Sequence, residues 1–581
     1  MTLRKLTLKT GLVGTLLASL LAVDACKEKT FLDVTDPNAL STTTFPTRIE
    51  DLDLMLVDLY GRLRNGFYNS GIFNKIGILP DHTADQGYNG ADFNQYSLLS
   101  VLPSDGPLQG LWAGHYENIT RCNNFLAALQ SIRATATGTA QQKSLDLMEG
   151  QARFLRALNY FYLVNFFGET MITSEADKAK MGVPLWTDVA ADIASTSKER
   201  ATIGQNWDFI VADLKKAETL LAGHAWDANN KPRADIWAVK AFLGKAYVFT
   251  QNWAAAATTL KEVIEGSGKK LVTYDVYRTM FNGMNKFNSE SIFEINFTAD
   301  RKDVWNNTLN TSTQYGIFIS PSYLEDDGKS EGTNGFGNLF IHDENPERFG
   351  FTDNTTATEE MKARPYQDLS RRLRAEKKVD PRMLVGTLQP WVDSIYVYDK
   401  WRKVTKNRGE GFPLSGNQAW NHRKYVLLDR GLWGGESESL ANNMYFLRLA
   451  DVYLLYAETL ARTGNAAGAV EYLNKVKRRA YSLPVDAPSA IDYKSLTDKT
   501  TALGAGDHLA NDPLKYERWA ELFAEGHWWF DVARWRLGDK EAAYYKKVKP
   551  GALVWNDRKY AFPIPEREML NNTKMKQNPG Y

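Results

Sequence analysis

Aromatic side chains are scattered through polar segments of this sequence, where no regular apolar pattern accounts for them. A flat ring can cover the C–H face of a pyranose while neighbouring polar groups hydrogen-bond its hydroxyls, and tyrosine and tryptophan suit wet interfaces because their polar edge stays solvated. Binding of this kind needs no titrating group. The predicted ligand-binding residues are Tyr88, Asn89, Trp305, Tyr315, Asn334, Phe336 and Trp391.

The alternative for each of these rings is that it packs under its own loop in a small apolar cluster and does not contact a ligand. Only the group as a whole favours ligand binding. Five other tryptophans lie on periodic segments and are predicted to belong to the core. They are Trp207, Trp237, Trp253, Trp519 and Trp535.

Two pairs of titratable residues near the C terminus lie four positions apart and would share a face of an unbroken helix. The pairs are Glu521 with Glu525 and His527 with Asp531. A His–Asp pair can orient a general base, but no nucleophile or set of metal ligands accompanies it. We therefore predict a structural ion-pair network with Arg518 and Arg534 that holds the last helices in place.

Residues 328–332 match the G-x-S-x-G motif, but a nucleophile elbow requires a preceding apolar strand and a following helix. Two acidic residues precede the motif and Thr-Asn-Gly follows it, so we interpret the match as chance. No H-E-x-x-H motif, zinc ribbon or phosphate-binding glycine loop is present. We predict no catalytic residue, metal ligand or cofactor, and a protein that is not an enzyme.

The composition is that of an ordinary globular protein. The 581 residues are 43% hydrophobic and 24% charged, which excludes collagen, a disordered acidic chain and a polytopic membrane protein. A net charge of +1 gives no reason to expect a nucleic-acid partner.

The N terminus has the three parts of a targeting segment. Basic residues precede an apolar run over residues 11–23, which is too short for a permanent transmembrane helix and ends before Ala25 and Cys26. The small residue before Cys26 resembles a bacterial lipobox, which implies acylation of that cysteine. Cys122 lies in an apolar helical run and is predicted to be a buried, inert thiol, so no disulfide is expected.

Three-and-four spacing of apolar residues predicts helices over residues 48–63, 119–129, 145–167 and 207–221. Residues 241–257 and 449–476 both resemble a tetratricopeptide helix–turn–helix unit. In the first unit, Gly244 and the following alanines should let two helices approach closely, while Tyr247 and Trp253 fill the space between them. The predicted fold class is all-α, with a tetratricopeptide-like repeat scaffold.

The two repeat units are separated by a long excursion that is rich in Gly, Asn, Asp, Thr and Ser. It shows no sustained 3.6-residue periodicity, so we predict loops with short strands, entered by a strand within residues 289–297. The predicted organisation is a signal peptide (1–25), a lipidated tether (26–46), an N-terminal helical region (47–299), the excursion carrying the ligand site (300–440) and C-terminal helices (441–581).

Five stretches of the sequence form distinctive motifs: residues 445–458 (YFLRLADVYLLYAE), 516–531 (YERWAELFAEGHWWFD), 562–566 (FPIPE), 577–581 (QNPGY) and 31–34 (FLDV). Together these motifs resemble those of the SusD/RagB family. The resemblance implies an outer-membrane lipoprotein, exposed at the cell surface, that captures a glycan for a SusC-like TonB-dependent transporter. It identifies scaffold residues and none that contact ligand.

Two other functions remain open for the same sequence. A peptide-binding member of such an uptake system would use the same aromatic residues to grip side chains and backbone amides. A tetratricopeptide-type scaffold would instead bind a partner chain in its helical grooves.

Overall fold

The structure of the protein is a computed structural model. It describes residues 45–64, 83–85, 96, 99–189, 192, 197–298, 316, 319–321, 323–326, 329–332, 339–341, 344–352, 355, 357–397, 400–405, 420–426, 441–502, 506–545 and 554–581. The chain divides into a short unit, residues 1–51, and a large unit, residues 52–581. In the short unit the Asp51 carboxylate accepts hydrogen bonds from the backbone N–H groups of Thr47 and Arg48.

Helices dominate the described part of the chain, and most of them lie before residue 280 or after residue 440. The helices are α1 (Ile49–Arg62), α2 (Gly106–Arg133), α3 (Thr139–Phe167), α4 (Ile203–Leu221), α5 (Ile236–Phe249), α6 (Trp253–Gly266), α7 (Tyr274–Thr279), α8 (Glu344–Arg348), α9 (Thr358–Lys362), α10 (Arg364–Ala375), α11 (Met383–Gly386), α12 (Leu449–Arg462), α13 (Ala466–Ala480), α14 (Pro513–Glu521), α15 (Trp528–Arg534), α16 (Gly538–Tyr545) and α17 (Glu566–Asn571).

Capping side chains set where several helices begin. The Asp105 carboxylate accepts from the N–H of Leu108 at the start of α2, and the Asp235 carboxylate accepts from Ala238 at the start of α5. Each cap satisfies a backbone donor that has no partner within its helix. No helix among the described residues is long and apolar enough to span a membrane.

The two predicted repeat units are confirmed as helix pairs, α5 with α6 and α12 with α13. A Cβ added to Gly244 would lie 2.5 Å from the Leu260 side chain, so this glycine permits the predicted close approach of α5 and α6. Tyr247 is buried and Trp253 is half-buried. Helix α6 also packs against α12, so the two units are neighbours in space although the excursion separates them in sequence.

Strands are short. They are β1 (Thr83–Asp85), β2 (Ser291–Ile295), β3 (Tyr323–Asp326), β4 (Lys329–Gly332), β5 (Leu339–Ile341), β6 (Thr387–Leu388), β7 (Ser394–Val397), β8 (Lys400–Val404), β9 (Asn421–His422) and β10 (Met444–Arg448). The predicted entry strand is confirmed as β2, which pairs antiparallel with β10 where the chain leaves the excursion. One four-stranded sheet has the order β4-β3-β8-β7, and two-stranded sheets join β1 with β5 and β6 with β9.

The excursion also contains helices α8 to α11, which the sequence did not predict. Helix α10 is twelve residues long and has few apolar side chains, of which Tyr366 is buried. Its Arg374 reaches Asp393 with an Nη1–Oδ1 distance of 2.7 Å. This ion pair and the packing of Tyr366 and Leu373 in the core cluster hold the helix on the protein.

The predicted ion pairs with Arg518 and Arg534 are confirmed for Asp531, although the helix that was expected to carry them is broken. Glu521 and Glu525 pair with Arg448 instead. Ala524 and Gly526 have positive φ values of 58° and 77° in the turn between α14 and α15. The predicted partners Arg518 and Arg534 both contact the Asp531 carboxylate at 2.7 Å. These side chains are buried and paired with one another, as a structural role requires.

Buried histidines make stability depend on pH. Burial lowers the pKa of His115 to about 4 and that of His422 and His527 to about 3. The unfolded chain binds these protons near pH 6.5, so the free energy of unfolding should fall as pH drops from 6.5 towards 4, by about 2 kcal/mol per histidine at pH 5. Urea denaturation at pH 7 and pH 5 measures this loss.

The variant His422→Leu provides the control for that prediction. Neither ring nitrogen of His422 has a hydrogen-bond partner within the described chain, so leucine removes the titration without breaking a bond. The variant should lose less stability between pH 7 and pH 5 than the natural protein does. An unchanged loss would show that His422 does not take part.

Candidate functional site

The structure places one of the seven predicted ligand-binding residues. Tyr88, Asn89, Trp305, Tyr315, Asn334 and Phe336 lie outside the described residues. Trp391 is 6% exposed and packs in a hydrophobic cluster with Phe351, Trp420 and Trp519. Lys362 Nζ lies 5.6 Å from the centre of the Trp391 ring. Trp391 is therefore a core side chain in this structure. Packing in an apolar cluster was the alternative to ligand binding for each of the predicted rings.

The four-stranded sheet brings other residues together on one surface. Cross-strand neighbours share a face of a sheet; Tyr396 is paired with Trp401, Ser394 with Lys403, and Lys403 with Glu325 on the other side. These five residues define what we call the Trp401 face. It lies within the excursion, in the region predicted to carry the ligand site.

The Trp401 ring is the main feature of this face. Trp401 is 69% exposed, although a large apolar side chain on an interior strand is normally covered. Its ring centre lies 5.6 Å from that of Tyr396, with the ring planes at 62°. This edge-to-face geometry holds the two rings against each other. The pair therefore offers a fixed aromatic surface to solvent.

Apolar packing beneath the sheet positions this pair. Leu324, Leu388, Ile395 and Val404 form a buried cluster on the opposite face. Because side chains alternate between the two faces of a strand, burying Ile395 and Val404 directs Tyr396 and Trp401 outward. The aromatic pair is thus supported by a rigid element and not by a loop.

Polar contacts secure the start of β7. The backbone N–H of Val404 donates to Asp393 O at 2.9 Å, and that of Trp391 donates to Val404 O at 2.7 Å. Burial raises the pKa of the Asp393 carboxyl, but Arg374 more than offsets this and holds the pKa below its usual value. Asp393 therefore remains charged and links the sheet to α10.

The G-x-S-x-G match does not form a nucleophile elbow in the structure. Ser330, the central residue of the G-x-S-x-G match, lies on β4 in a tight antiparallel hairpin with β3. This is not the strand-to-helix turn of a nucleophile elbow. Within the described residues, no group of three or more His, Cys, Asp or Glu side chains could hold a metal ion.

Cys122 is buried, and burial raises the pKa of its thiol to about 12. An inert thiol was predicted, and this prediction is confirmed. Cys26 lies outside the described residues.

Sequence reasoning did not select Tyr396 or Trp401, although Trp401 was visible as an aromatic residue in the excursion. The alternation of Ser394-Ile395-Tyr396-Val397 is a usable signal for a strand with Tyr396 on the exposed face. On β8 the residue after Trp401 faces the inner side of the sheet and is Arg402, a charged residue. The sequence there does not alternate between apolar and polar residues, so the strand is harder to recognise.

Family comparison agrees with the fold. A model described as the SusD family matches residues 289–581, just over half of the 581 residues. The chain belongs to the SusD family. A second model, described as "Starch-binding associating with outer membrane", matches residues 30–248. The predicted family is therefore confirmed, and so is its helical, tetratricopeptide-like scaffold.

One named relative and two solved structures are similar to almost the whole chain. SusD-like protein P25 of Formosa agariphila is 24% identical over 96% of this chain and 97% of its own length. A solved laminarin-binding SusD-like protein is 23% identical, with a TM-score of 0.65, and covers 92% of this chain and 99% of its own. Surface glycan-binding protein A of Bacteroides thetaiotaomicron, solved with laminarihexaose, is 19% identical, with a TM-score of 0.64 over 91% of this chain and 99% of its own.

Proposed function

We propose that this protein binds an oligo- or polysaccharide on the Trp401 face and delivers it, unaltered, for import. The observation that carries the proposal is the exposed Trp401 ring, held edge-to-face by Tyr396 on a supported sheet. An exposed ring can pack against the apolar face of a sugar while the sugar hydroxyls keep their hydrogen bonds to water. The glycan-binding names of two structures with the same fold support this assignment.

The rest of the uptake system belongs to the same proposal. Cys26 would carry the lipid that anchors the protein at the outer surface of the outer membrane, and a SusC-like TonB-dependent transporter would receive the glycan. Membership of the SusD family and the outer-membrane description of the second matching model support this location. The remaining predicted loop residues, Tyr88, Asn89, Trp305, Tyr315, Asn334 and Phe336, would extend the binding surface.

Binding to a broad glycan panel tests the proposed function. The full chain in detergent is titrated with neutral and charged poly- and oligosaccharides, and with a peptide mixture in parallel. Saturable binding to one glycan class without release of shortened products is the expected result. Binding to peptides alone would replace the proposal with the peptide-binding alternative, and steady release of products would point to an enzyme.

A further inference from the structure

Two arginines, Arg278 and Arg423, differ from the fully buried arginines of the described chain. Each of those pairs with an aspartate or glutamate; they are Arg156, Arg348, Arg382, Arg448, Arg478, Arg479, Arg518 and Arg534. The Nε atoms of Arg278 and Arg423 are also buried, but neither guanidinium has a hydrogen-bond or salt-bridge partner among the residues that the structure describes. A guanidinium that loses hydration without gaining a partner is costly.

The fold brings Arg278 and Arg423 to the same place. Arg278 lies in the last turn of α7, and Arg423 comes directly after β9. Asn282, just beyond α7, donates from Nδ2 to Arg423 O at 2.8 Å. The backbone N–H of Arg423 donates to Gly386 O at 3.0 Å, at the end of α11, and α11 packs against α7. The segments that carry the two arginines are therefore bonded directly to each other.

Arg374 of α10 adds a third cation. Its Nε is buried and has no hydrogen-bond partner within the described part of the chain, while its terminal nitrogens contact Asp393. Burial lowers the pKa of Arg423 to about 10; the charges of Arg278 and Arg374 act in the same direction, and that of Asp393 opposes them. These three arginines, which we call the arginine cluster, share one carboxylate and keep an excess of positive charge.

The Tyr274 ring lies beside the arginine cluster. Its centre is 6.0 Å from Cζ of Arg278. Burial raises the pKa of Tyr274 to about 12, although all three arginines of the cluster oppose this rise. The phenol therefore stays neutral and cannot balance their charge. Asp380, which raises the pKa of Tyr274 further, is itself paired with Arg382 at 2.6 Å.

The arginine cluster is open to a small ion. Its three residues are half-buried, so part of each side chain reaches solvent. A planar guanidinium presents parallel N–H donors that match the oxygens of a carboxylate, sulfate or phosphate. Such an anion would be attracted by the excess positive charge, and it would reduce the repulsion between neighbouring arginines.

We propose that the arginine cluster binds one oxyanion group, a carboxylate, sulfate or phosphate, which bridges Arg278 and Arg423 next to Arg374. The anion supplies the hydrogen-bond acceptors that these two guanidinium groups lack. It also connects α7 of the helical scaffold to β9 and α10 of the excursion, so its binding should stabilise the folded chain. The site shares no residue with the Trp401 face and is independent of glycan binding there.

Calorimetry on the full chain in detergent tests the site. Inorganic phosphate, sulfate and acetate are titrated separately, with ionic strength held constant by NaCl. We expect saturable binding of one anion per chain, and the preferred anion distinguishes a tetrahedral oxyanion from a carboxylate. A ligand that binds only the folded state also raises the melting temperature. Absence of saturable binding for all three anions would overturn the proposal.

Matched variants locate the bound anion. Arg278→Gln and Arg423→Gln should each raise the Kd at least about tenfold, as expected for the loss of a charge-assisted hydrogen bond. The control Arg371→Gln removes the same charge from an exposed position on α10 and should leave the Kd unchanged. If Arg423→Gln does not fold, Arg278→Gln decides the test. An anion that binds Arg278→Gln as tightly as Arg371→Gln would overturn the proposal.

Melting temperatures of the same variants separate specific binding from the general effect of salts. Sulfate and phosphate stabilise many proteins because they are excluded from the surface, and that effect should be the same in every variant. The natural protein and Arg371→Gln should therefore gain more in melting temperature than Arg278→Gln does. Equal gains in all three would contradict a bound anion.

Discussion

The variant Arg448→Ala should lower the free energy of unfolding by about 4 kcal/mol, because removing one partner of a buried ion pair leaves uncompensated charge in the protein interior. Arg448 ends β10 and is 1% exposed. Its guanidinium contacts the carboxylates of Glu290, Glu521 and Glu525 at 2.7–2.8 Å. Arg448 therefore joins the strands at the base of the excursion to α14 and the turn after it.

The charge state of this cluster depends on its cations. Burial alone would raise the pKa of Glu521, but Arg479 and Arg448 lower it to about 2. Without Arg448, three buried carboxylates would share Arg479 and Lys424 as their nearest cations. Urea denaturation monitored by tryptophan fluorescence measures the loss in free energy of unfolding that Arg448→Ala causes.

A surface arginine provides the control for this experiment. Arg371 has an exposed side chain paired with Asp368, and Arg371→Ala should change the free energy of unfolding by less than about 1 kcal/mol. If Arg448→Ala fails to fold, Arg448→Lys is measured instead. Lysine keeps the positive charge but cannot make the several hydrogen bonds of the guanidinium, so its loss of stability should lie between those expected for Arg371→Ala and Arg448→Ala. A loss below about 1 kcal/mol for Arg448→Ala would contradict the importance given to this cluster.

Two tryptophans of the excursion should respond in opposite ways to truncation. Trp401→Ala should leave the free energy of unfolding within about 1 kcal/mol of the natural protein and raise the Kd for the bound glycan at least about 30-fold, as expected of an aromatic hot spot. Trp391→Ala should cost about 3–5 kcal/mol of stability, because it opens a cavity in a packed cluster. Their exposures of 69% and 6% are the reason for the difference.

Measuring stability and affinity on the same preparations separates the two roles. Glycan binding by Trp391→Ala is informative only while the variant is folded, so it is measured well below the unfolding temperature of the variant. Its Kd there should stay close to that of the natural protein. A Trp401→Ala variant that binds normally would remove Trp401 from the binding surface. A Trp391→Ala variant that is fully stable but does not bind glycan would place Trp391 in the binding surface.

The helical scaffold was predictable because its signals are local. Apolar residues spaced by three and four mark α1, α3 and α4, and Gly244 with its following alanines marks the first repeat unit. The ion pairs of Asp531 could be anticipated because their partners lie close in sequence. By contrast, the partners of Arg448 in Glu290 and Glu525 are more than 70 residues away, and no spacing rule reveals them.

The site was less predictable because exposure in the excursion depends on distant packing. Trp391 has polar sequence neighbours but is buried in an apolar cluster whose other members, such as Phe351, Trp420 and Trp519, come from other segments. Trp401 has similar neighbours and remains exposed, because the cluster beneath it is filled by Leu324 and Leu388. Composition could indicate an aromatic binding surface in this region, but only the fold distinguishes the two rings.

A crystal structure of the protein with a bound oligosaccharide from the class found in the panel would show whether the Trp401 face binds glycan. We expect a sugar ring in contact with Trp401 and Tyr396, its flat face against the Trp401 ring. An oligosaccharide bound elsewhere, with both rings left open to solvent, would contradict this expectation.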